Sequence, residues 1–176
     1  MNPLLWFAAR QLIRFRRGRT PPRRLPDPIW YFAYGSNMNE RLFRERRHMT
    51  PIATRIGRLA DHRLVFTVAG GMRPGLSAPA NIVDAPGRSV HGVLYQLPLH
   101  QFARLDNSEG RQYDYLWTGV EDGAGQRVSA VTYKVPQAVI EGKPGRRYFA
   151  MIREAALQRD LPADYIAMLD QIETRD

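Results

Sequence analysis

Four prolines at positions 21, 22, 26 and 28 divide this chain into two unequal parts. Proline has no N–H to donate and clashes with the preceding helical turn, so no helix crosses such a stretch. Residues 1–28 are therefore read as an N-terminal extension and Pro-rich linker, and residues 29–176 as one folded domain. A body of that length is enough for a single well-packed core and too short for two ordinary ones.

Within the body, short strand-like runs alternate with turns. Ile29 to Ala33 is apolar and aromatic, and Asn39 is placed to cap a short basic helix through Arg47. Arg63 to Val68 reads as a strand, followed by breaks at Gly70-Gly71 and Pro74-Gly75. Ser89 to Leu97 alternates as a half-buried strand does, and Pro98 opens a helix with Leu99, Phe102, Ala103 and Leu105 on its inner side. Tyr115 to Glu121 and Arg127 to Val135 flank Asp122-Gly123-Ala124-Gly125, a hairpin turn. Two helices close the chain, Arg147 to Gln158 and Pro162 to Glu173, the second with Tyr165, Ile166, Leu169 and Ile172 as its apolar stripe. Strands first and helices last make the class α+β, with a small closed or strongly curled sheet.

The formal charge of +9 is unevenly spread. Seven arginines against Asp27 put +6 in residues 1–27, and the remainder carries only +3. A nucleic-acid partner argued from total charge would rest on that extension alone, so none is expected. Arg41, Arg44, Arg46 and Arg47 form a local patch, read as a solvated helix face. Leu4 to Ala9, Leu12, Ile13 and Phe15 have near-helical spacing, with Arg10, Arg14 and Arg17 between them. Residues 1–19 are then either a basic amphipathic helix making peripheral contact with an anionic membrane, or an extension that docks nowhere. No stretch reaches the roughly 18 apolar residues of a spanning helix, and no secretory pattern is evident. The expected location is cytoplasmic.

Much chemistry is excluded. Cysteine is absent, so there is no thiol nucleophile, disulfide or thiolate metal site. His48, His62, His91 and His100 share no ligand spacing, and neither a G-x-S-x-G elbow nor a glycine-rich phosphate loop occurs. No metal and no cofactor are expected. Two segments remain. Tyr31-Phe32-Ala33-Tyr34-Gly35-Ser36-Asn37 runs from an aromatic strand into a turn whose glycine permits close backbone approach. Leu105-Asp106-Asn107-Ser108-Glu109-Gly110 leads into the aromatic Tyr113 to Trp117, and a carboxylate among aromatic rings is partly desolvated. Singly, the first is equally a capped turn and the second a solvated loop acid.

Together, YFAYGSNM and the downstream LDNSEG resemble the γ-glutamylcyclotransferase (AIG2-like) family over residues 29–174. The resemblance extends through Arg63 to Phe66, His91 to Tyr95, the Tyr148 helix and Leu161 to Tyr165. It implies a closed, partly Greek-key β-barrel with flanking helices. It also implies a substrate-binding turn of Tyr31, Phe32, Ala33, Tyr34, Gly35, Ser36 and Asn37, a catalytic Glu109, and Tyr148 lining the pocket. The family places a further tyrosine a few residues beyond its acid. Tyr113 and Tyr115 both compete for that role.

The implied reaction is a transferase- or lyase-type cyclisation of a γ-glutamyl amino acid, amine or peptide, as in glutathione metabolism, to 5-oxoproline and a free amine. The substrate's own α-amine attacks its γ-carbonyl, so the nucleophile is already tethered. One carboxylate, Glu109, serves as base and then as acid. The competing reading is a non-catalytic binding module on the same fold, held at a membrane or anionic partner by its basic N-terminal helix.

Overall fold

The computed structural model describes residues 25–68, 77–110, 112–136 and 140–176. The basic helix expected within residues 1–19 and the breaks at Gly70-Gly71 and Pro74-Gly75 lie outside the described residues.

Five strands close into a mixed barrel: β1 (Ile29–Ala33), β2 (Ala53–Val68), β3 (Ala80–Leu97), β4 (Asp114–Asp122) and β5 (Arg127–Lys134). β1 lies between β3, its antiparallel partner, and β5, its parallel one, with Tyr31 opposite both Tyr95 and Val131. The antiparallel pairs β2–β3, β2–β4 and β4–β5 complete the ring. The connections from β1 to β2 and from β3 to β4 each skip a strand, which supplies the partial Greek key. A two-residue strand, β6 (Ile140–Glu141), extends β2 beyond the ring. Helices α1 (Leu99–Ser108), α2 (Arg146–Gln158) and α3 (Ala163–Asp170) flank it.

The barrel interior is sealed by Phe32, Leu94, Val120 and Ala130, all without solvent contact. Glycine is required where the Phe32 ring sits. A Cβ on Gly92 would lie 2.2 Å from the Ala33 carbonyl oxygen and 3.0 Å from the ring, and one on Gly57 would lie 3.1 Å from it. Packing reaches back to Leu25, which is buried, and Asp27 Oδ1 accepts the Leu99 N–H at 2.9 Å at the start of α1.

Four elements differ from the sequence reading. β2 and β3 begin ten and nine residues earlier than expected, at Ala53 rather than Arg63 and at Ala80 rather than Ser89. The outer part of β2 buries only Gly57 and Leu59 among exposed polar residues, and its register shifts between Ala60 and His62, beside Asp61 at φ 58. That interrupts the alternation by which a strand is recognised. The basic helix expected after Asn39 is present but short and wide, Leu42–Arg46, closed by the Arg47 N–H on the Leu42 carbonyl at 3.1 Å, and a separate turn, Ser36–Met38, precedes it. Asn39 does cap it, its Oδ1 accepting the Leu42 N–H at 3.0 Å. Finally, α3 stops at Asp170, leaving Ile172 beyond it. The hairpin turn is as expected: Asp122 Oδ1 accepts the Ala124 and Gln126 N–H groups at 3.0 and 2.9 Å, and Gly125 supplies φ 77.

Candidate active site

Where β1 leaves the barrel, its last residues and the following turn meet the C-terminal end of α1. Tyr31, Tyr34, Gly35, Ser36 and Asn37 line a pocket with Ala80, Glu109, Tyr113, Tyr133 and Tyr148. The hub is Asn37, which is 6% exposed. Its Nδ2 donates to Tyr31 Oη at 2.8 Å and to Glu109 Oε1 at 2.9 Å.

Arg47 approaches the same carboxylate oxygen, Nη1 to Oε1, at 3.4 Å, with the two side chains only 21% and 14% exposed. Nη1 also donates to Ser108 Oγ, which donates in turn to the Leu105 carbonyl at 2.6 Å. Both contacts on Glu109 from the described residues therefore fall on Oε1.

The tyrosines are fixed individually. Tyr34 donates its hydroxyl to the Tyr133 carbonyl at 2.6 Å, and Tyr113 to the Ala80 carbonyl at 2.6 Å. Tyr148 instead accepts, from the Ala80 N–H at 3.1 Å. Tyr133 donates to the buried carboxylate of Asp106, at 3.1 Å from Oδ1. Burial is the main cause that holds the ionisation of Tyr31, Tyr34, Tyr113, Tyr133 and Tyr148 above the usual phenol range, with the Glu109 charge adding to it. All five are neutral phenols at physiological pH, and each carries one donor hydrogen.

Most of the residues singled out from sequence share this pocket, but Phe32 and Ala33 do not. Both are fully buried in the barrel and line no part of it. Of the two competing tyrosines, Tyr113 lines the pocket. Tyr115 packs behind it against Tyr133 and Phe102, with ring centroids at 5.9 and 6.2 Å.

The structure also brings in residues that sequence reasoning missed. Arg47, read as part of a solvated face, points into the site while Arg41 and Arg44 pair with Glu45 and Glu40 outside it. Tyr133 and Asp106 carried no separate signal, although Asp106 belongs to the motif that drew attention to Glu109. Among the described residues, no three His, Asp or Glu side chains are grouped to hold a metal ion.

A closed mixed barrel with flanking helices defines a γ-glutamylcyclotransferase-type fold. Residues 89–169 match the AIG2-like family. Gamma-glutamyl cyclotransferase aclK of Aspergillus oryzae is 30% identical over 163 residues, covering 80% of this chain and 60% of its own length. Human gamma-glutamylcyclotransferase is 29% identical over 158 residues, covering 85% of this chain and 81% of its own. A solved structure titled gamma-glutamyl cyclotransferase superposes with a TM-score of 0.73 at 26% identity, over 84% of this chain and 89% of that one. Together these matches support placing the chain with the γ-glutamylcyclotransferase-like (AIG2-like) family. None of its described helices is long and apolar enough to cross a membrane.

Proposed function

We propose that this protein is a γ-glutamylcyclotransferase that converts a γ-glutamyl amino acid, amine or peptide into 5-oxoproline and the free amine, with Glu109 as its proton carrier. The observation that carries this reading is the one-sided fixing of that carboxylate. Asn37 and Arg47 hold Oε1, leaving Oε2 to exchange a proton with substrate.

The substrate's α-ammonium gives a proton to Glu109, and the freed amine attacks the γ-carbonyl carbon. The carbonyl electron pair moves to oxygen, where the backbone N–H groups of the Gly35-Ser36-Asn37 turn stabilise it. Glu109 then returns that proton to the leaving nitrogen as the C–N bond breaks and the carbonyl re-forms, takes the second proton from the ring nitrogen, which leaves the lactam with one N–H, and passes it to the freed amine. One group thus carries both protons, each taken from the attacking nitrogen and given to the leaving one. The pocket's main task is to hold the folded conformer in which amine and carbonyl already touch. Neutral tyrosines suit that task, because they orient polar groups without adding charge that competes with the carboxylate.

The test is 5-oxoproline release from a panel of γ-glutamyl amino acids, γ-glutamyl amines and glutathione, for wild type and Glu109→Gln. The amide keeps the shape but removes the proton acceptor, so turnover is expected to fall by about a hundredfold or more. Release from wild type that persists undiminished in the variant overturns Glu109 as catalyst. No release from any compound favours a binding module on the same fold.

A further inference from the structure

Asp106 is a buried carboxylate in the last turn of α1. Helix electrostatics disfavour an anion there, because the C-terminal end of a helix carries the negative pole of its dipole. Burial adds a desolvation cost that a neutral residue would not incur. One of its contacts reaches the pocket. Asp106 Oδ1 accepts the hydroxyl hydrogen of Tyr133, which lines the pocket.

That bond sets a direction. A phenol has one hydrogen to donate and otherwise only accepts. With its hydrogen on Asp106, Tyr133 can offer a ligand nothing but lone-pair density. Tyr34 and Tyr113 are committed in the same way, to the Tyr133 and Ala80 carbonyls. Tyr31 has the opposite polarity: it accepts from the Asn37 amide N–H and keeps its hydrogen to donate, while Tyr148 is bonded to the Ala80 N–H and to Ser36. The pocket is therefore polarised, with the three phenols whose hydrogens are committed and Glu109 set against Tyr31. A group with several N–H donors and a positive charge fits the first set. In the proposed reaction that group is the α-ammonium of the γ-glutamyl moiety.

We infer that Asp106 is a positioning residue: by holding the Tyr133 hydroxyl hydrogen, it makes Tyr133 an acceptor for the α-ammonium group of the substrate. The inference rests on the γ-glutamyl reading above and deepens it. Burial, followed by the charges of Asp106 and Glu109, keeps Tyr133 protonated, so the hydrogen that Asp106 holds is present throughout the working range. Without the carboxylate, Tyr133 is free to turn its hydrogen toward the ligand, where it meets an N–H instead of accepting one.

The test compares two ligands that differ only in the ammonium group: γ-L-glutamyl-L-alanine as substrate and glutaryl-L-alanine, its des-amino counterpart, as competitive inhibitor. Asp106→Leu, which removes the acceptor, and Tyr133→Phe are each expected to raise KM for the first about tenfold while leaving Ki for the second within about twofold. The double variant should be no worse than the more affected single one, because both act through one bond. Equal weakening of both ligands would mark Asp106 as merely structural, and no change in KM would also overturn the proposal. If Asp106→Leu does not fold, Tyr133→Phe alone gives the same comparison. Should wild type release no 5-oxoproline, the reaction falls, and calorimetry with the two compounds still decides the ammonium contact. Equal affinity for both overturns it, and preference for the ammonium-bearing one retains it.

Discussion

Asn37 and Glu109, 72 positions apart in sequence, meet at 2.9 Å, and the same amide nitrogen holds Tyr31 at 2.8 Å. One buried side chain thus ties the turn after the first strand to the end of the first helix. Replacing Asn37 by Ala removes both bonds and leaves the buried Tyr31 hydroxyl without its donor. A stability loss of about 1–3 kcal/mol is expected, read as a lower midpoint in denaturant. Turnover should fall further than stability implies, by about a hundredfold, because the carboxylate loses its fixed position. Asn37→Asp is the sharper variant. It sets a second carboxylate against Glu109 and should abolish 5-oxoproline release even where the fold survives.

Arg47 makes a separable prediction. Its guanidinium reaches Glu109 Oε1 and Ser108 Oγ with one nitrogen, bridging the end of α1 to the wide turn Leu42–Arg46. Arg47→Ala is expected to cost about 1–3 kcal/mol, since it leaves a largely buried carboxylate without its cation. Arg41→Ala, on the exposed side of the same segment, removes only a surface pair and should cost no more than about 0.5 kcal/mol. Equal losses for the two variants in urea titrations would show that Arg47 is also only a surface charge.

The contrast between these arginines shows where the sequence was readable and where it was not. YFAYGSN and LDNSEG carried the turn and the acid because each combines residues whose local geometry is restrictive: a glycine beside the pocket, an asparagine in the turn, an acid just past a helix end. Arg47 carried no such restriction. Its inward direction depends on an unusually wide turn, and four arginines in one short segment are indistinguishable by composition. The outer halves of β2 and β3 were hidden for a related reason. They bury one face intermittently, and a register shift at Ala60 to His62 breaks the period that reveals a strand. Phe32 and Ala33 were drawn into the site by adjacency to Tyr31 and Tyr34, whereas both are fully buried and line no part of the pocket.

The two tyrosines beyond Glu109 can be told apart by mutation. Tyr113 lines the pocket and donates to the Ala80 carbonyl at 2.6 Å, whereas Tyr115 packs behind Tyr133 and Phe102. Tyr113→Phe is expected to raise KM for a γ-glutamyl substrate by about tenfold, the scale of one lost hydrogen bond. Tyr115→Phe should leave KM within about twofold. The reverse order in steady-state kinetics would reassign the pocket position to Tyr115.

Glycine substitutions should separate the barrel from the site. A Cβ at Gly92 would stand 2.2 Å from a backbone oxygen, which cannot yield without moving β1, so Gly92→Ala is expected to cost about 3 kcal/mol or more. A Cβ at Gly35 would meet the Ala80 Cβ at 3.2 Å and the Tyr148 hydroxyl at 3.5 Å, and its φ of −113° suits any residue. Gly35→Ala should therefore fold with a loss of about 1 kcal/mol or less and show its effect in KM, by narrowing the pocket beside Tyr148. Thermal melts and KM measured on both variants check the pair, and a larger stability loss at Gly35 than at Gly92 would contradict it.

The buried phenols fix the alkaline behaviour. Burial raises the ionisation of Tyr31, Tyr34 and Tyr133 well above the usual value and pushes Tyr95 up to about 12. In the unfolded chain the same groups ionise near pH 10. Above that pH the unfolded state has released protons that the folded state still holds, so stability falls as pH rises. Their contribution is fully present below about pH 10 and is lost on the way up through the folded values. Phenolate absorbance followed against pH should then rise in a steep, cooperative step that coincides with loss of near-ultraviolet circular dichroism. Gradual titration of the tyrosines at pH 10 with the fold intact would show that the pocket is open to solvent, and the polarised arrangement around Glu109 would lose its physical basis.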